Sequence, residues 1–89
     1  MKIKEKFDVY FDPGHGWVKV PMTMLKELGI ENRISPYSYR RGENAYLEED
    51  CDASIFMKAY AEKYGHEIRI VYHNTDRLSR IRSYPRFTH

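Results

Sequence analysis

Phe7, Val9 and Phe11 alternate with Asp8, Tyr10 and Asp12, and after an Asp12-Pro13-Gly14-His15-Gly16 break the chain resumes as Trp17-Val18-Lys19-Val20. Alternation of period two places one set of side chains on a single face of a strand, and a Pro-Gly break joins two such strands as a hairpin, with the glycines open to positive backbone angles. A two-stranded ribbon with one apolar face needs a second layer over it. That layer is legible from Asp50 to Tyr64, where Ala53, Phe56, Tyr60 and Tyr64 fall on one helical stripe with Ile55 and Ala59 beside it. Lys58, Glu62 and Lys63 face water on such a helix, and Gly65 ends it.

The remaining segments supply further strands and short helices. Pro21 opens a short helix carrying Met22, Leu25 and Leu28, which Gly29 ends in a left-handed conformation with Ile30 folding back toward Leu25. After a loop from Glu31 to Pro36, the tyrosines of Tyr37–Glu48 flank an Arg41-Gly42-Glu43-Asn44 turn, a second hairpin. Ile68, Ile70 and Tyr72 alternate with Arg69, Val71 and His73 as a last strand. Asn74-Thr75-Asp76 then caps a short helix holding Leu78 and Ile81, and residues 83–89 show no period, as a flexible tail would not. The expected fold is a single α+β domain over residues 1–89. It has a mainly antiparallel sheet of about five strands, with the long helix and one or two short ones packed on it.

At 89 residues the chain has room for one core. Its 42% apolar and 15% aromatic content sets it apart from disordered tails. No apolar run approaches the roughly 18 residues of a membrane span, and the start, Met1 to Lys6, lacks the apolar stretch of a signal peptide, so a soluble intracellular protein is expected. Cys51 is the single cysteine, which excludes an internal disulfide and the cysteine-rich zinc sites; an inert thiol, buried or half-buried, is expected. A net charge of +2 argues against an acidic nucleic-acid mimic and against a histone-like binder.

Three clusters carry chemistry. Glu48, Glu49, Asp50 and Asp52 precede or open the long helix, where the exposed N–H groups favour negative charge; capping is the simplest role, with a cation site or an acidic docking patch as the functional one. Arg77, Arg80, Arg82 and Arg86 form a C-terminal stretch with no acid after Asp76, and Tyr84 and Phe87 lie among them. That pattern suits phosphates with bases stacked alongside, or arginine stems covering a sheet. Tyr37, Tyr39 and Tyr46 share the second hairpin with Arg40 and Arg41. Tyrosine and arginine dominate interface energetics, but strands also favour aromatics as core, and both readings stay open.

Phe11-Asp12-Pro13-Gly14-His15-Gly16 resembles the first motif of zinc-dependent N-acetylmuramoyl-L-alanine amidases, a resemblance that would make His15 a zinc ligand. The spacing of Glu48, Glu49, His66 and His73 marks no partner for it. More broadly, Asp12–Trp17, Tyr37-Ser38-Tyr39 and Tyr46–Asp52 resemble a group of small proteins encoded by bacteriophages and conjugative or plasmid elements. The resemblance implies a cytoplasmic accessory protein in a bacterial host, of the kind that binds and blocks a host defence protein.

The expectation is therefore a non-enzymatic binding protein, with no catalytic residues, metal or cofactor. It inhibits or modulates a host protein through Tyr37, Tyr39, Arg40, Arg41 and Tyr46. The alternatives are a nucleic-acid-binding module using Arg77, Arg80, Arg82, Tyr84, Arg86 and Phe87, and a zinc hydrolase centred on His15. No membrane partner is expected, and an exposed sheet edge would make a symmetric dimer easy.

Overall fold

The computed structural model describes residues 6–88; the start, read above as lacking a signal peptide, and His89 lie largely or wholly outside them. Strands β1 (Lys6–Phe11) and β2 (Gly16–Pro21) form the expected hairpin, with Val9 opposite Val18 and Tyr10 opposite Trp17. Helix α1 (Met22–Glu27) follows, then β3 (Tyr39–Arg41), β4 (Asn44–Glu48), the long helix α2 (Asp52–Tyr64) and β5 (Arg69–Asn74). The five strands make one sheet in the order β3-β4-β2-β1-β5. All neighbours are antiparallel except β1 and β5, so the domain is α+β with a mostly antiparallel sheet. No helix among the described residues is long and apolar enough to cross a membrane.

The stops behave as backbone chemistry dictates. Gly29 and Gly65 sit at φ 69° and 76°, and the Ile30 N–H closes back on the Leu25 carbonyl at 3.0 Å. Gly42, at φ 58°, makes the β3–β4 turn. Gly14 and Gly16, by contrast, do not take positive angles. Gly16 is required for space: a Cβ there would lie 2.5 Å from the Phe11 ring.

Helix α2 covers one face of the sheet. Ala53, Phe56 and Tyr60 are buried with Phe7, Val9, Val18, Val20, Ala45 and Leu47, and Phe7 meets Phe56 edge-on at 5.0 Å between ring centres. The other face is covered too, by the end of the expected short helix together with residues 83–87 of the expected flexible tail. A 3-10 turn at Arg80–Ser83, capped by the Ser79 hydroxyl rather than by Asn74, Thr75 or Asp76, buries Ile81 against Trp17 and Tyr46. Leu78, expected on the buried side of that turn, is instead exposed. Residues 79–87 thus form a strap across the sheet. Its end runs beside β3, where the Arg40 N–H donates to the Pro85 carbonyl at 2.8 Å and the Phe87 N–H to the Ser38 carbonyl at 2.9 Å.

Gly16→Ala should lose about 2 kcal/mol of stability, because the added methyl overlaps a ring packed against the core. Urea unfolding followed by circular dichroism measures this; a loss under about 0.5 kcal/mol, the level of an ordinary surface change, would show that Phe11 gives way freely.

Candidate functional site

The Asp12-Pro13-Gly14-His15 turn is organised around one carboxylate. The Asp12 side chain is buried, and Oδ1 accepts the Gly14 and His15 N–H groups at 3.0 and 2.9 Å, an Asx-type closure of the turn. Oδ2 accepts the Ser79 N–H at 3.0 Å, and the Arg82 guanidinium pairs with both oxygens, Nε at 2.6 Å and Nη2 at 2.9 Å. Arg82 thereby fastens the strap to the β1–β2 turn, and its guanidinium lies 5.5 Å over the Trp17 ring. The Arg82 hydrogen bonds hold the Asp12 pKa well below the usual carboxylate range, assisted by the three backbone N–H groups and opposed by burial.

A second buried carboxylate fixes the opposite side. Asp52, 1% exposed in the first turn of α2, accepts from the Ser35 N–H at 3.1 Å and the Ser35 hydroxyl at 2.7 Å, and from the Ser38 hydroxyl. Ser38 in turn accepts the Glu48 N–H at 2.9 Å, so Asp52 ties the loop before β3 to the end of β4. The acidic run is therefore divided: Asp52 turns inward, while Glu49, Asp50 and Cys51 face solvent. Cys51 is exposed, not buried, because it occupies the N-cap position outside the buried stripe. The hydrogen bond with Asp50, followed by burial and neighbouring carboxylates, raises the Glu49 pKa.

Between these anchors lies a cleft of about 510 Å³ lined by His15, Trp17, Tyr37, Tyr39, Glu48, Asp50, Cys51, Arg82 and Arg86. The Asp12–Trp17, Tyr37–Tyr39 and Tyr46–Asp52 segments all contribute to its wall. Trp17 and Tyr39 pack edge-on at 6.3 Å, and Arg86 sits 5.6 Å over the Tyr39 ring while donating to the Pro36 carbonyl at 3.0 Å. Tyr37 stands free, 67% exposed. The expected hairpin residues thus separate by role. Tyr46 is buried under Tyr84, and Tyr39 is half-buried. Pairing of Arg40 with Ala45 and Arg41 with Asn44 directs the two arginines to opposite faces, and Arg41 lies 5.1 Å over Tyr84.

The basic segment divides as well. Phe87, at 2% exposed, belongs to the helix-side core and offers no ring to a base; Arg82 is engaged by Asp12. Arg77 and Arg80 remain, and with Lys19, Tyr10, Tyr46 and Tyr84 they line a second cleft of about 610 Å³ that has no carboxylate in its wall. Burial raises the Tyr10 and Tyr46 pKa values, so these phenols stay protonated donors.

No three His, Cys, Asp or Glu residues among those described are grouped to hold a metal ion. His15 meets Glu48 at 3.6 Å, whereas His73 bonds Asp8 at 2.9 Å and His66 packs against Tyr60. His15, Trp17 and Lys19 also line these clefts, which residue type alone did not mark. Strand alternation from Tyr10 marks Trp17 and Lys19 as one face, which was the available signal.

Asp12 contributes stability that is present above its unfolded pKa near 3.8 and is lost as pH falls below it toward the much lower folded value. Thermal unfolding at a series of acid pH values should show the wild type losing stability from about pH 4 downward, with a flatter dependence in Asp12→Asn; parallel curves would remove Asp12 as the cause. At neutral pH the same variant should unfold on the order of 10 °C lower, from loss of about 2 kcal/mol. Comparison with known proteins finds no matching family model, no matching curated protein and no matching solved structure.

Proposed function

We propose that this protein is a non-enzymatic binding protein that recognises a protein partner through the cleft bounded by Tyr37, Tyr39, Trp17 and Arg86. The observation that carries the reading is the pre-positioned guanidinium and ring set: Arg86 over Tyr39, Arg82 over Trp17, and an open Tyr37 at the rim. Side chains already held by stacking lose little entropy on binding, and Tyr, Trp and Arg are the residues that supply most interface energy. Glu48 and Asp50 add acceptors of opposite sign on the same wall, which favours a partner of mixed polarity over a uniform polyanion. In keeping with the mobile-element resemblance, the partner is proposed to be a host protein, inhibited or modulated by occupation of its surface in the bacterial cytoplasm.

A second reading rests on the separate basic cleft. Lys19, Arg77 and Arg80, with protonated phenols beside them and no carboxylate in the wall, suit phosphates of a nucleic-acid backbone.

The test is co-purification from host lysate with wild type, a Tyr37→Ala, Arg86→Ala variant and an Arg77→Ala, Arg80→Ala variant. The account expects a stoichiometric protein that the first variant loses by at least about tenfold, the loss of a hot-spot pair, and the second retains. Equal capture by all three, or none by wild type, contradicts it. Retention of nucleic acid by wild type and loss only in the Arg77, Arg80 variant, with steep salt dependence, would establish the second reading instead.

A further inference from the structure

The two edges of the sheet are treated differently by the chain. The β3 edge is short and is bonded by the strap, through Arg40 to Pro85 and Phe87 to Ser38. The β5 edge is a full strand of six residues, and none of the described residues pairs with its outer side. Which groups point outward follows from the ladder. The Thr75 N–H donates to the Phe11 carbonyl at 3.0 Å, and Phe11 is in register with Asn74. In a parallel pair alternate residues face the neighbour, so His73, Val71 and Arg69 face β1, while Ile70, Tyr72 and Asn74 direct their N–H and C=O groups away from the sheet. Of the devices that usually protect such an edge, β5 carries only the charge of Arg69 at its first position; it has no proline and no lysine.

We infer that β5 pairs with β5 of a second copy of this chain, antiparallel and centred on Tyr72. A twofold axis between identical edges makes the strands antiparallel. Centring on Tyr72 puts Ile70 opposite Asn74 of the other copy and Tyr72 opposite Tyr72. Every outward residue of the strand then enters a doubly hydrogen-bonded pair. The side chains match under the same register. On the helix face Tyr72, 63% exposed and stacked on Phe11 at 6.0 Å, meets its own copy to extend a row of rings. Beside it lies a groove of about 280 Å³ between α2 and β5, with Met57, Ala61, Ile68 and Ile70 in its wall and Lys58 and Glu67 at its margin. On the other face, half-exposed Val71 meets His73. Arg69 falls opposite Thr75, so no like charges oppose each other. A six-residue edge is a small interface beside the roughly 1,200 Å² of stable complexes, so the dimer should be weak and concentration-dependent.

Sedimentation velocity across ~1 μM to ~1 mM, with amide hydrogen exchange at both ends, tests the inference. Wild type should pass from monomer to dimer. The Ile70, Tyr72 and Asn74 amides should slow at least about tenfold at high concentration, while those of Val71 and His73 are protected throughout. Tyr72→Pro removes an outward N–H and the ring while leaving every β1–β5 hydrogen bond, and Tyr72→Lys opposes two charges; both should stay monomeric. The lysine variant keeps every backbone donor and so serves if the proline variant misfolds. A wild type monomeric at ~1 mM, a dimer whose alternate amides stay unprotected, or a dimer that survives Tyr72→Lys would overturn the inference.

Discussion

The bidentate bond between Asp12 and Arg82 joins residues 70 positions apart and turns an open hairpin loop into the anchor of a third layer. Without that bond the strap's far end would still be held by buried Phe87 and its backbone bonds to β3. The end nearest the β1–β2 turn would have Ile81 as its one buried apolar contact in the 3-10 turn. Ion pairs between exposed groups contribute little, but here one partner is wholly buried and also receives three backbone N–H groups, so its removal leaves several donors without acceptors. This layer packs over the rings of Trp17, Tyr39 and Tyr46, with its own Tyr84 set against Tyr46. The guanidiniums of Arg41, Arg82 and Arg86 lie over the rings of Tyr84, Trp17 and Tyr39 in turn.

That arrangement resolves the two roles open to the tyrosines. Tyr46 acts as core and Tyr37 as surface, while Tyr39 does both, with one part under Arg86 and against Trp17. Asp52 plays the matching part at the far wall of the cleft, using serine hydroxyls in place of a guanidinium. Two buried carboxylates therefore position loops that contain few regular hydrogen bonds of their own.

Local pattern made the hairpins, the long helix and its glycine stops legible. Phe7, Val9 and Phe11, and the stripe Ala53, Phe56 and Tyr60, each follow one period and bury the face that period selects. The strap was not legible. Leu78 and Ile81 suggest a short helix and the residues from Ser83 onward show no period, while the pairing of Arg82 with Asp12 depends on tertiary approach that spacing does not encode. Phe87 in the core and Cys51 in solvent share that origin, since both lie just outside a periodic element. The parallel placement of β5 likewise depends on where α2 delivers the chain after crossing the sheet. Of the site, Tyr37 and the arginines were legible by residue type, whereas Trp17, His15 and the division of Arg40 from Arg41 became clear from strand register.

The most direct test of the central claim, that a pinned strap forms the recognition face, is the set of nuclear Overhauser contacts between Ile81 methyls and the Trp17 and Tyr46 rings in solution. The account requires them in the wild type, and requires their loss in Arg82→Ala while Phe7–Phe56 contacts across the α2 interface remain. Absence of the strap contacts in the wild type, or their persistence after removal of the guanidinium, would contradict it.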